Sequence, residues 1–166
     1  MPRIAVCCLA LLLTACTPYV NIPPQGGDLA FHSPNKQTVR ALEIAAGRAA
    51  LADRPIDGTF SITLPEGSSI LTYEAVVPQI SENATYAKPG ETPIKPVLAI
   101  RQLRIRAAVG EVDIVRPIAP DRSEFITVYL GYDPMAKWSV DRIRVWRTFD
   151  PAREDPMPTD AAPVVP

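Results

Sequence analysis

The sequence predicts an α+β domain in which an N-terminal helix packs on a curved antiparallel sheet of four to five strands. Three observations carry this prediction. An amphipathic stripe of helical period comes early, alternating polar and apolar runs fill the second half, and prolines cluster at both ends, where they break regular structure. The domain spans 33–149. Before it lies a tether at 16–32 containing Pro18, Pro23, Pro24, Gly26 and Gly27; after it comes a tail at 150–166 containing Pro151, Pro156, Pro158, Pro163 and Pro166. Prolines among small and acidic residues bury too little apolar surface to order themselves, so both ends are expected to be mobile.

The first element is a helix over 35–52. Val39, Leu42, Ala46, Ala49 and Ala50 recur at spacings of three and four, with Lys36, Arg40, Glu43 and Arg48 on the other side. Ser33 suits the N-cap and Pro34 the first helical position, while Arg54-Pro55 supplies the stop. Residues 59–64 alternate as a strand with Phe60, Ile62 and Leu64 facing the core, ended by Pro65-Glu66-Gly67. Residues 69–80 fit two periods: Ile70, Tyr73, Val77 and Ile80 suit a helix, and Leu71, Tyr73, Ala75 and Val77 suit a strand. A serine cap at Ser68 or Ser69 favours the short helix, with Pro78 in its last turn. Residues 81–96, with Pro89, Gly90, Pro93 and Pro96, read as a surface loop.

From Val97 onward the pattern is β. Leu103, Ile105, Ala107 and Val109 alternate with Arg104, Arg106 and Ala108, and Gly110-Glu111 is expected to turn the chain. Val112, Ile114 and Arg116 form the next strand, which Pro117 should end. Residues 125–132 alternate again up to a turn at Tyr132-Asp133-Pro134-Met135. Residues 138–149 then place Ile143 and Val145 on one face and Val140, Arg142, Arg144 and Trp146 on the other. The expected meander has one apolar face and one basic face.

This order of helix, strand, helix and four-strand meander resembles the α+β roll of nuclear transport factor 2-like and cystatin-like domains. The short runs Gly110-Glu111-Val112-Asp113-Ile114 and Lys137-Trp138-Ser139-Val140 resemble their late hairpin and strand start. The resemblance covers roughly 35–149 and implies a sheet that curls round the first helix, with a cone between them that some rolls use for ligands. No Tyr and Asp pair matches those of the ketosteroid isomerases in that group, so no catalytic residue is carried over, and fold-level analogy does not define function.

The leader says where the chain works. Arg3 and the amino terminus are positive, Ile4 opens an apolar run, and small Thr14-Ala15 precede Cys16. The run from Ile4 to Cys16 is 13 residues, against roughly twenty needed to span a bilayer. Leu13-Thr14-Ala15-Cys16 resembles the signal of bacterial lipoproteins. That resemblance implies removal of 1–15, a diacylglycerol thioether on Cys16 and acylation, commonly with palmitate, of its new amine. Several chains at about 0.8 kcal/mol per buried methylene anchor firmly. Thr17 rather than Asp after the cysteine implies the outer membrane, on its periplasmic or surface face. Cys7 and Cys8 leave with the leader, so the three cysteines of the chain provide neither a thiol nucleophile nor a disulfide in the mature domain.

Seventeen basic residues against eighteen acidic ones leave no general attraction for nucleic acid. His32, the single histidine, cannot build a His-rich metal centre or partner Ser68 or Ser69 in a hydrolase elbow, so no metal or other cofactor is expected and no catalytic set is recognisable. Glu111 and Asp113 suit cross-strand ion pairs better than acid/base work. The β half is the exception to near-neutrality, with nine basic and six acidic residues between Val97 and Arg147, and one reading is a solvated sheet face laced with ion pairs to Glu111, Asp113, Glu124 and Asp141. Arg101, Arg104, Arg106, Arg116, Arg142, Arg144 and Arg147 fall there among Tyr129, Tyr132, Trp138 and Trp146. Arginine with aromatic residues is the composition of interfaces and anion sites. The expectation is a non-enzymatic binding or adaptor domain that meets an acidic envelope protein or an anionic polymer through Arg104, Arg106, Arg142, Arg144, Trp138 and Trp146. The alternative is a ligand-binding or enzymatic roll whose cone is lined by Phe60, Tyr73 and Phe125, beside Trp138.

Overall fold

The computed structural model describes residues 20–24, 33–87, 91–135 and 137–149. Two helices and seven strands form one α+β unit, in the order β1 (Val20–Ile22), α1 (Gln37–Asp53), β2 (Phe60–Thr63), α2 (Ile70–Ile80), β3 (Ala84–Thr85), β4 (Val97–Arg106), β5 (Val109–Ala119), β6 (Arg122–Asp133) and β7 (Lys137–Phe149). The sheet runs β3-β2-β4-β5-β6-β7, and β1 shares the β4 edge with β2. It has more strands than expected and is mixed: β2 pairs in parallel with both β3 and β4, while the pairs from β4 to β7 are antiparallel. Parallel pairing follows from the crossover, because α2 carries the chain from β2 back to the end where β4 begins.

Both helices form where the periodicity put them. α1 starts at Gln37, however, with Lys36 as a cap that makes no side-chain bond, so Ser33 and Pro34 belong to the turn before it. Asn35 explains the later start. Its Oδ1 accepts from Ser69 N at 2.8 Å and from the Thr72 hydroxyl at 2.6 Å, and its Nδ2 donates to Gly67 O at 3.2 Å, which ties the entry of α1 to the entry of α2. Ser69 caps α2 by accepting from Thr72 N, and Pro78 sits within the helix. Gly67, at φ +84, supplies the left-handed residue that the turn into α2 needs.

The core lies between α1 and one face of the sheet. Val39, Leu42, Ala46 and Ala50 pack with Leu103, Val112, Ile114, Ile126, Val128 and Leu130, and Phe60, Ile62 and Leu64 extend the layer as expected. α2 covers a second side of α1: a Cβ on Gly47 would lie 2.7 Å from Ile80 Cδ1. Glu43, one turn before Gly47 and expected on the solvent side, is therefore fully buried.

Four further expectations are corrected. The β4–β5 turn is Ala107-Ala108, with Ala107 at φ 50, rather than Gly110-Glu111. Gly110 lies inside β5, where Leu42 and Trp138 approach so closely that a Cβ would meet Leu42 Cδ1 at 2.7 Å. β5 runs through Pro117 to Ala119, because a register shift beside the proline absorbs its missing donor. In β7, register shifts opposite Phe125/Ile126 and Tyr129/Leu130 pair Val140 with Leu130, so Val140 joins the α1 side rather than the side of Arg142. Finally, the segment expected as tether contains β1, with Ile22 fully buried against the core. Cys16, His32 and the tail 150–166 lie outside the described residues.

Candidate functional site

Strand alternation sorts the arginines before any pairing does. Residues 112, 114 and 116 of β5 and 124, 126, 128 and 130 of β6 face α1; Glu111 and Asp113 of β5 and Phe125, Thr127 and Tyr129 of β6 face away from it. Register then builds two rows on this outer face: Arg104, Glu111, Tyr129 and Arg142 in one, and Gln102, Asp113, Thr127 and Arg144 in the other.

Arg104 anchors the rows. Its Nη1 and Nη2 donate to Asp113 Oδ2 at 2.6 Å and Oδ1 at 2.9 Å, and its Nε donates to Glu111 Oε2 at 2.9 Å. Burial works to lower its pKa, but the bonds and charge of Asp113, then of Glu111, outweigh burial and raise it, so the guanidinium stays charged. The Thr127 hydroxyl donates to Asp113 Oδ1 at 2.6 Å and accepts from Trp146 Nε1 at 2.8 Å. This relay fixes the Trp146 ring, and Arg144 lies on that ring with its Cζ 3.6 Å from the centroid. Arg142 lies likewise on Tyr129, at 4.2 Å. Each guanidinium centre thus lies over a ring, and both residues stay exposed to solvent. Among the described residues neither Arg142 nor Arg144 has a carboxylate within 4.0 Å, whereas Arg104 is fully engaged.

The expected binding set therefore divides. Arg104, Arg142, Arg144 and Trp146 share the outer face, with Arg104 in a structural part. Arg106 sits at the hairpin end of β4 opposite Val109, and Trp138 packs on the other side beside Gly110 and Tyr132. Arg116 leaves the set altogether. It faces α1, where it donates from Nε to Glu124 Oε1 at 2.9 Å, from Nη1 to Ala50 O at 2.6 Å and from Nη2 to Asp53 Oδ2 at 2.8 Å. It thereby adds a second donor to a carbonyl in the last turn of α1, which already accepts from Arg54 N at 3.1 Å, and meets the negative end of that helix. Thr127 is the residue that sequence reasoning missed. Its signal is a hydroxyl in alternation with buried Ile126 and Val128, on the face of Tyr129.

The expected cone residues do not converge. Phe60 is buried in the core. Tyr73 accepts from Leu64 N at 3.0 Å and its ring stands 5.4 Å from that of Tyr86. Phe125 belongs to the outer face, opposite Val115 and Arg147. A shallow depression of about 170 Å³ opens beside Ser68, Ile70, Tyr73 and Ala87, small against the ~300–1,000 Å³ of ordinary ligand sites. Among the described residues Glu43 is the one buried acid without a hydrogen-bond partner: neither oxygen is bonded, and burial, opposed by nearby Arg40, pushes its pKa up to about 8. Among the described residues no three of His, Cys, Asp and Glu gather to hold a metal ion, and no helix is long and apolar enough to cross a membrane.

Fold and site together define an α+β protein with a mixed seven-stranded sheet whose outer face carries an arginine–aromatic ladder. Comparison with models of protein families, with curated proteins and with solved structures finds no match to this chain.

Proposed function

We propose that the chain is a bacterial lipoprotein, anchored through lipid on Cys16 to the outer membrane, whose domain is a non-enzymatic adaptor for an acidic envelope protein. The carrying observation is the outer-face pair Arg142 and Arg144. Both are exposed, stacked on Tyr129 and Trp146, and without a carboxylate among the described residues. Two exposed guanidiniums held over aromatic rings on one strand, two residues and so about 7 Å apart, offer N–H donors to carboxylates of a partner. The order helix, strand, helix and meander further supports a roll in which the sheet wraps α1.

The test is a crosslinked pull-down of the lipidated protein from its own envelope beside the Arg142→Glu, Arg144→Glu variant. A stoichiometric acidic protein retained by the native chain and lost from the equally stable variant is expected. Retention indifferent to the two charges would overturn the adaptor reading, and capture of an anionic polymer in place of a protein would reassign the partner.

A further inference from the structure

Three pieces of chain meet at one end of the sheet. β1 is antiparallel to β4 with Val20 opposite Ile105, so Val20 lies at the end where β4 turns into β5. β6 runs towards that same end and turns there into β7, and the two turns are joined by a bond from Tyr132 N to Ala108 O at 2.7 Å. Only three residues separate Cys16 from Val20, and at full extension this span covers no more than about 14 Å. A lipid on Cys16 therefore holds this end of the domain within about 14 Å of the lipid-bearing residue.

The composition of the end fits that neighbour. Met135 is 94% exposed at the tip of the β6–β7 turn, and Val109 and Tyr132 are 47% and 44% exposed beside it. Trp138 packs edge-on against Tyr132, with ring centroids 5.2 Å apart. Arg106 and Lys137 add positive charge, and the Asp133 carboxylate accepts from Met135 N at 2.7 Å, holding the turn that presents Met135. Tyrosine and tryptophan favour the headgroup level, and cations favour anionic headgroups. The opposite end, at the β5–β6 turn, carries exposed Asp121 and Arg122 instead.

We propose that this tip, formed by Arg106, Val109, Tyr132, Met135, Lys137 and Trp138, rests in the headgroup layer of the membrane that holds the Cys16 lipid. The proposal rests on the lipidation reading above. It also gives the domain an orientation: β7 rises from the surface, so the Arg142 and Arg144 face stands clear of the bilayer at a set height.

The two tryptophans of the chain provide the test, because Trp146 lies eight residues farther along β7, about 25 Å at the usual strand rise. The full lipidated chain is placed in phosphatidylethanolamine–phosphatidylglycerol vesicles containing lipids brominated near the headgroup. Trp138, observed alone in a Trp146→Phe variant, is expected to be quenched at least about threefold more than Trp146 in a Trp138→Phe variant. Met135→Glu, a change at an exposed position that preserves the melting temperature, is expected to remove most of the Trp138 quenching. Equal quenching of both tryptophans, or no effect of Met135→Glu, overturns the proposal. Mass spectrometry of the same sample separates the two readings: acyl chains on Cys16 with Trp138 unquenched defeat the tip contact alone, whereas an unacylated chain defeats the anchor and the contact together.

Discussion

The two faces of the sheet use arginine in opposite ways. On the inner face Arg116 is 1% exposed and spends its donors on Glu124, Asp53 and the Ala50 carbonyl. On the outer face Arg142 and Arg144 rest on aromatic rings and stay exposed to solvent or a partner. Both kinds sit in alternating strands and look alike in sequence. What differs is the layer above them: α1 covers the inner face, and once its last turn lies there a buried guanidinium must find a carboxylate and a carbonyl or cost several kcal/mol. No described element covers Arg142 and Arg144, so stacking alone orders them.

The largest expected effect breaks the inner side of this comparison. Arg116→Ala leaves Glu124 buried without its main partner and removes one of the two donors on the Ala50 carbonyl, which keeps Arg54 N, and should cost about 3–5 kcal/mol in urea unfolding. Arg142→Ala or Arg144→Ala should each cost under about 0.5 kcal/mol. Equal losses for Arg116 and Arg144 would erase the distinction between the faces.

Burial acts on an acid as well, and pH reveals it. Folded Glu43 keeps its proton up to about 8, against an ordinary 4.5. The contribution is therefore intact below the ordinary value, declines as pH rises between the two, and levels off above the folded value. That decline should amount to a few kcal/mol, on the order expected for a shift of this size. Glu43→Gln should flatten the stability profile across that window, and an unchanged slope in the variant would show that another group is responsible.

Packing on the same inner side should respond next. Gly110→Ala sets a methyl against Leu42 and Trp138 and should cost about 1–3 kcal/mol by overpacking, read as a lower unfolding midpoint. On the outer face, Thr127→Val cuts the relay from Asp113 to Trp146 for about 1 kcal/mol. It should shift Trp146 fluorescence, and an unmoved spectrum would mean that the ring is ordered by Arg144 alone. Smallest of all, Ala107→Gly relieves a left-handed turn residue at φ 50 and should leave stability unchanged or raised by up to about 1 kcal/mol.

Much of this architecture was legible because it depends on near neighbours. The three-and-four spacing of Val39, Leu42, Ala46 and Ala50 specified α1, and the serine before Ile70 selected helix over strand for α2 against its mixed pattern. Cross-strand pairing of Glu111 and Asp113 with an arginine was also legible, since alternation places them on one face. The turn was misplaced at Gly110 because glycine signals either a turn or close packing, and Leu42, sixty-eight residues earlier, decides between them. β1 escaped notice because three residues among prolines carry no period; their strand exists only through pairing with β4.

By itself, then, the sequence determined the helices, the meander and most of the alternation that places residues on one face of a strand, because capping and periodicity act within a few residues. Only the tertiary structure decided which charges are spent. Arg116 and Glu43 became interior when α1 met the sheet and α2, and Val20, the Ala107-Ala108 turn and Met135 came to one end through strand direction and register. Burial and pairing belong to whichever distant layer covers a residue, and no local pattern encodes that layer.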